Sequence, residues 1–366
     1  MLNDPVTAAA IHLLKSLAEA PGAPGHEDAV RRIFRTEVGG DTTTDKTGSI
    51  IYTKKGTSET PRIMLAAHMD EVGFVVQSVT REGLIRFLPL GGWWPHTILA
   101  KRVRIITRNN TEIIGVVGAK PPHFLTDAER EKVMKIEDMF IDVGARDAVD
   151  VRDRFGIEVG DSIVPDSSFT VLHDPDVFLC KAFDNRVGMA VVIHAAAMLM
   201  SMTHHNTVCA VGTVQEEVGV RGAQTAAHAV NPDAAIILEG TPADDLPGTT
   251  EEERQGKLRG GVQIRLMDPS AIMNRKFSRY AVELAREHGI AHQVAVRRSG
   301  STDARAVHLT REGVPTIVLG VPSRYIHTHN GLVHMEDYLS ALDLVMKLLE
   351  RLDEDAVRSF VTYDDK

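Results

Sequence analysis

The stretch TVCAVGTVQEEVGVRGAQTAAHAV, residues 207–230, places a strand, an acidic pair and a helix in direct succession. Its first nine residues are apolar enough to predict a buried, central strand. Glu216 and Glu217 follow that strand, and segment 222–230 predicts a helix. Carboxylates that follow a buried strand of an α/β sheet lie at the edge where ligands bind.

The same alternation of strand and helix continues on both sides of this stretch. The predicted elements are strands at 62–67, 234–238 and 315–320, and helices at 186–200, 274–288 and 336–352. Strands that alternate with helices indicate an α/β fold, a mixed sheet with helices on both faces.

A central segment has a different pattern. Short β-rich runs separated by turn residues occupy it, and Arg108-Asn109-Asn110 is typical of a hairpin turn. No strong helix alternates with these runs, so a small β domain is predicted as an insertion. The predicted organisation is an α/β domain in two parts, residues 1–71 and 174–366, interrupted by a β-rich domain at 72–173.

Composition limits the classes of partner and the compartment. The 366 residues carry 41 basic and 50 acidic side chains, a net charge of −9, which argues against a nucleic-acid partner. No apolar run approaches the roughly 18 residues of a membrane span, and no signal peptide is evident. With only two cysteines and no disulfide framework, the chain is expected in the cytoplasm.

Chemically active side chains follow four predicted strands. His68 and Asp70 follow the first, Glu216 and Glu217 the second, Glu239 the third, and His327 comes shortly after the fourth. Singly, each has an ordinary explanation: Asp184, before a helix, is typical of an N-cap. Together they indicate a metal site, because clustered carboxylates and imidazoles need a neutralising cation. Mixed nitrogen and oxygen ligands favour zinc, cobalt or manganese, and two ions could share a bridging carboxylate.

Four motifs then resemble those of a known family. HMDEVGF at 68–74, KAFDNRVG at 181–188, VQEEVGVRGA at 214–223 and RYIHT at 324–328 are similar to motifs of the TET-type (tetrahedral) di-metal aminopeptidases, which include glutamyl, leucyl and lysyl enzymes. They occur in the family's order and the similarity covers nearly the whole chain. The resemblance implies a zinc-peptidase-like catalytic domain that removes N-terminal amino acids from peptides.

The resemblance also assigns roles. It implies five ligands for two divalent ions, zinc or cobalt with manganese as a third option: His68, Asp184, Glu217, Glu239 and His327. Asp184 would bridge both ions, Glu239 would complete the site of His68, and Glu217 and His327 would hold the second ion. Glu216 would be the general base for attack by a metal-bridged hydroxide, and Asp70 would orient His68. The family often has aspartate at the position of Glu239.

Assembly and alternatives follow from the same resemblance. In the family the inserted domain pairs subunits and twelve chains form a hollow tetrahedron, so a homododecamer built from dimers and acting on peptides is expected. The metal cluster alone also fits a carboxypeptidase or an N-acyl amino acid deacylase. A glucanase is a distant alternative, because it would leave the histidines unexplained and aromatic residues make up only 5% of the chain. A non-enzymatic binding module would be expected to have lost a ligand or the base, and none is missing.

Overall fold

The computed structural model describes residues 4–363. Within them the chain forms ten α-helices: α1 (Pro5–Glu19), α2 (Asp28–Glu37), α3 (Asp127–Arg130), α4 (Ala148–Asp153), α5 (Phe183–Met198), α6 (Arg221–Val230), α7 (Arg275–Glu287), α8 (Ala304–Val307), α9 (Met335–Arg351) and α10 (Glu354–Phe360). Helix α1 begins at Pro5, because proline suits the first turn of a helix and the Asp4 carboxylate accepts a hydrogen bond from the Thr7 N–H. None of the described helices is both long and apolar enough to span a bilayer.

The strands form a large sheet, a barrel and a small three-stranded sheet. In chain order they are β1 (Thr42–Thr44), β2 (Ile50–Lys54), β3 (Arg62–His68), β4 (Gly73–Val79), β5 (Ile85–Leu90), β6 (Arg102–Ile106), β7 (Glu112–Gly118), β8 (Phe140–Asp142), β9 (Ser162–Pro165), β10 (Thr170–Val171), β11 (Val177–Cys180), β12 (Thr207–Thr213), β13 (Ala234–Pro242), β14 (Val262–Asp268), β15 (Ala271–Ile272), β16 (His292–Val296), β17 (Thr316–Ser323) and β18 (Gly331–His334).

The large sheet has nine strands in the order β1-β2-β12-β3-β13-β17-β14-β15, with β16 paired to β14. Its centre is parallel, since β12 and β13 both run parallel to β3, and β17 runs parallel to β13. Toward both edges the strands become antiparallel: β2 against β12, and β14 against β17. The predicted mixed sheet is therefore confirmed.

Helices cover both faces of this sheet, as the fully buried strands require. On β3, Ile63 and Leu65 join the larger apolar core, which also contains residues of α1, α5, α7 and α9. Their neighbours Met64 and Ala66 join a second core with α6 and α8 on the opposite face. Successive residues of a strand point to opposite faces of the sheet, so the two pairs join different cores. Both pairs are buried, as expected for a central strand that helices cover on both faces.

Six strands close into a barrel in the order β4-β5-β8-β7-β6-β9. The barrel has its own apolar core, which includes Phe74, Ile105, Ile141 and Ile163. All six strands lie between residues 73 and 165, inside the segment predicted as an insertion. We take this separate core as support for an inserted domain at 72–173, whose exact boundaries stay a prediction.

Candidate metal centre

His68 ends β3 at the carboxyl edge of the parallel strands, and its ring is almost fully buried. Its Nε2 lies 3.3 Å from Asp184 Oδ1, 3.7 Å from Glu239 Oε2 and 4.0 Å from Glu216 Oε2. Glu239 comes from β13, the neighbouring strand in the sheet. One imidazole nitrogen thus faces three carboxylates that come from three parts of the chain.

His327 forms a second group with two of the carboxylates. Its Nε2 lies 3.4 Å from Asp184 Oδ2 and 3.4 Å from Glu217 Oε2. Asp184 therefore directs one oxygen to each histidine, which is the arrangement that a carboxylate bridging two cations requires. All five predicted ligands lie in these two groups, each compact enough to hold one ion. A third combination, His68 with Glu216 and Glu217, is also compact.

Backbone carbonyls fix the orientation of both imidazoles. His68 Nδ1 lies 3.1 Å from the Asp70 carbonyl oxygen, and His327 Nδ1 lies 2.8 Å from the Gly92 carbonyl oxygen. A carbonyl oxygen only accepts, so Nδ1 carries the proton in both rings. In the neutral tautomer this leaves each Nε2 lone pair directed at the carboxylates, as a metal ligand needs.

Asp70 connects the two glutamates to the first strand. Its Oδ1 lies 3.5 Å from His68 Nδ1, while its two oxygens accept hydrogen bonds of 3.0 Å from the backbone N–H groups of Glu216 and Glu217. Asp70 therefore makes the predicted contact with His68. It also fixes the turn that follows β12. Asp70 holds the acidic pair in register with His68.

A buried ion pair joins the segments that carry His68 and Asp184. Lys181 Nζ donates to both oxygens of Glu71, at 2.7 and 2.9 Å, and Arg186 Nη2 donates to Glu71 Oε1 at 3.3 Å. All three side chains are buried. Lys181 and Arg186 flank Asp184 in sequence, so Glu71 anchors that segment from both sides.

The inserted barrel also reaches the centre. Gly92, whose carbonyl holds His327, follows β5, and the next residue, Trp93, donates its indole N–H to the Gly73 carbonyl at 3.0 Å. The indole stacks on Phe74 in the barrel core with ring centroids 4.7 Å apart. The segment of the inserted domain that follows β5 thereby positions His327.

Unusual backbone conformations surround the acidic and imidazole groups. Ala182, Gln215, Tyr325 and His327 have positive φ values between 56° and 60°. Such left-handed residues are uncommon outside glycine and concentrate at functional sites. On the neighbouring strand, a side chain at Gly240 would overlap the carbonyl of residue 183, so only glycine lets the Asp184 segment approach β13 so closely.

The electrostatics of the cluster fit divalent cations. Burial raises the pKa values of Glu217 and Glu239. Burial opposes ionisation of Asp184 as well, but His327 and His68, which donate hydrogen bonds to it when their rings are doubly protonated, lower its pKa. Glu217 Oε1 is buried without a hydrogen-bond partner among residues 4–363. A cation would satisfy that oxygen and stabilise the ionised carboxylates, so these residues fit a metal centre.

A cavity of about 480 Å³ opens beside the cluster. His68, Asp184, Glu217, Glu239 and His327 line one part of it, and Arg265, Arg297 and segment 299–302 line another. Neither arginine belongs to a motif or strand end that the sequence pattern singles out. Arg297 follows β16, which pairs parallel to β14 and so runs opposite to the catalytic strands. The rule that ligands bind at the carboxyl ends of the parallel strands therefore does not predict a role for Arg297.

Fold and cluster together define a metal-dependent hydrolase of the α/β class. The family model described as M42 glutamyl aminopeptidase matches residues 48–344, and the chain belongs to this family. It is a metallo-aminopeptidase. The glutamyl aminopeptidase of Lactococcus lactis is 33% identical over 96% of this chain and 98% of its own length. The lysyl aminopeptidase of Pyrococcus furiosus is 33% identical over 93% and 96%.

Solved structures agree with this assignment. A TET aminopeptidase from a marine sediment thaumarchaeon superposes with a TM-score of 0.93 at 39% identity, covering 97% of this chain and 100% of that one. The Pyrococcus horikoshii TET1 peptidase, which can assemble into a tetrahedron or a large octahedral shell, gives a TM-score of 0.83 at 30% identity over 94% and 100%. The resemblance to TET-type aminopeptidases is confirmed.

Proposed function

We propose that this chain cleaves N-terminal residues from peptides with two divalent cations, zinc or cobalt, or manganese as a third option. One would be held by His68, Asp184 and Glu239, and the other by Asp184, Glu217 and His327. The observation that carries this proposal is the position of Asp184, whose two oxygens face the two histidines at 3.3 and 3.4 Å. Glu239 reaches His68 despite its extra methylene relative to aspartate.

Glu216 would act as the general base. When bound, the two cations would polarise the peptide carbonyl and lower the pKa of a water. The Glu216 carboxylate lines the cavity beside His68 and lies outside the two ligand groups that contain Asp184. It would accept a proton from the attacking water and return it to the leaving amine. Asp70 would keep His68 and Glu216 in register.

Acetylation of the peptide's α-amine is expected to abolish cleavage, because an aminopeptidase requires the free amine at its cavity. The measurement compares Leu-Gly-Gly and Glu-Gly-Gly, each with its N-acetylated form at equal concentration, following release of the first residue. Equal rates would favour the deacylase or endopeptidase alternative. Preferential loss of the last residue would favour the carboxypeptidase alternative.

Large assemblies are expected in solution, with a dodecamer built from dimers as the proposed form. This proposal rests on solved relatives: PhTET1-12s is a dodecamer in the asymmetric unit of its crystal, and the Pyrococcus horikoshii TET1 peptidase can assemble into a tetrahedron or a large octahedral shell. Light scattering at micromolar concentration should give a mass near twelve times 40.1 kDa. Monomer alone at that concentration would contradict the proposal. The cytoplasmic location stays a prediction.

A further inference from the structure

Arginine side chains supply the charge of the cavity beyond the proposed metal centre. Apart from the ligands and Glu216, its charged lining residues are Arg265, Arg297 and Arg305. Beside them lie Pro242 and the small residues of segment 299–302. The charged side chains that line the cavity beyond the proposed metal centre are therefore all cationic.

The two buried arginines differ in how far their charge is compensated. Arg265 donates to Asp268 Oδ2 at 3.1 Å and to Thr241 Oγ1 at 2.8 Å. Among residues 4–363 the Arg297 side chain has one hydrogen-bond partner, the Pro242 carbonyl at 3.2 Å, and its Nη2 lies 3.7 Å from Asp244. The other oxygen of Asp244 already accepts the N–H groups of Gln255 and Gly256.

Arg297 is therefore a buried guanidinium with donor capacity left over. Its side chain is 9% exposed. Burial and, after it, the positive charge of Arg265 lower its pKa. A carboxylate brought into the cavity would gain a charge-assisted hydrogen bond there, whereas an ammonium group would be repelled.

Resting on the aminopeptidase activity proposed above, we infer that Arg297, supported by Arg265, binds the side-chain carboxylate of an N-terminal glutamate or aspartate. Family membership does not decide this, because relatives of equal identity are named glutamyl and lysyl aminopeptidases. The arginines that line the cavity favour an acidic first residue over a basic one. The side-chain carboxylate of that residue would lie against Arg297 while its peptide carbonyl lies at the metal centre. A peptide's C-terminal carboxylate offers the same chemistry, so the test separates the two sources.

The test compares kcat/KM for the nitroanilides of glutamate, glutamine and lysine. Glutamine matches glutamate in size and lacks only the charge, so a Glu:Gln ratio of about ten- to hundredfold is expected, with lysine lowest. Dipeptides and their C-terminal amides should differ little. A Glu:Gln ratio near one, or strong dependence on the C-terminal carboxylate, would overturn the inference. No turnover of any nitroanilide or dipeptide would overturn the proposed aminopeptidase function and this inference with it.

Substitutions at two adjacent arginines locate the effect. Arg297→Gln should reduce the Glu:Gln ratio at least about tenfold, and Arg297→Lys, which keeps a cationic group but loses the planar guanidinium, should give a ratio between those of Arg297→Gln and the wild type. Arg298→Gln is the matched control, because Arg298 is exposed and pairs with Glu253 at the surface; its ratio should equal that of the wild type. An unchanged ratio in Arg297→Gln would refute the assignment. If that variant fails to fold, the wild-type ratio and Arg297→Lys still decide the matter.

Discussion

Replacing Glu216 by glutamine is expected to lower kcat by about 10²–10⁴-fold while the protein keeps its metal ions. The amide has the size of the carboxylate and leaves the backbone bond from residue 216 to Asp70 intact. It cannot accept a proton at neutral pH, so the chemical step loses its base while peptide binding persists. Stopped turnover with unchanged metal content is the predicted signature.

The neighbouring glutamate provides the matched comparison. Glu217→Gln removes a carboxylate that faces His327 at 3.4 Å, so this variant should lose metal affinity first and regain part of its activity in excess metal. Metal content and turnover measured on both variants separate the two roles. In the third compact group, His68 with Glu216 and Glu217, Glu216 would itself be a ligand. Metal loss in Glu216→Gln with retention in Glu217→Gln would reverse the assignment made here.

Asp184→Asn is expected to remove activity to background and to weaken the binding of both metal ions. Asp184 is the one residue common to the group of His68 and the group of His327, and an asparagine offers a single neutral oxygen in place of two charged ones. Elemental analysis after dialysis should show that both metal ions have been lost. Glu217→Gln, by contrast, should affect chiefly one position.

A buried carboxylate remote from the cavity controls for general destabilisation. Asp337 accepts hydrogen bonds from the N–H groups of Arg259 and Gly261 and is fully buried. Asp337→Asn should lower the free energy of unfolding yet leave metal content unchanged. If Asp184→Asn retained two tightly bound ions, Asp184 would not be the bridge.

Sequence reasoning located the centre because parallel strands bring their carboxyl ends to one edge. β3, β12 and β13 are neighbours in the sheet, so His68, the Glu216–Glu217 pair and Glu239 meet as their positions after predicted strands imply. The hydrophobic pattern is enough to predict this, because each of these residues follows a continuous apolar run that is typical of a central strand. Asp184 lies at the start of α5, where its backbone is not helical, and His327 lies four residues beyond the end of β17, so the position after a strand predicts their placement less closely.

Other contacts of the site join segments that are far apart in the sequence, and no local sequence pattern predicts them. The Gly92 carbonyl meets His327 across 235 positions of the chain, and a glycine before two tryptophans gives no sign of that. Closure of the barrel likewise depends on β4 pairing with β9. Arg297 lies beyond the end of β16, and its side chain lines the cavity and donates to the Pro242 carbonyl.

The most direct test of the metal centre is a count of metal ions per chain by elemental analysis, before and after treatment with a chelator. The untreated protein, loaded with zinc or cobalt, should contain two divalent ions per chain, and chelation should remove both the ions and the aminopeptidase activity, with activity restored on adding metal back. Only trace metal in a protein that remains fully active after chelation and dialysis would contradict the account.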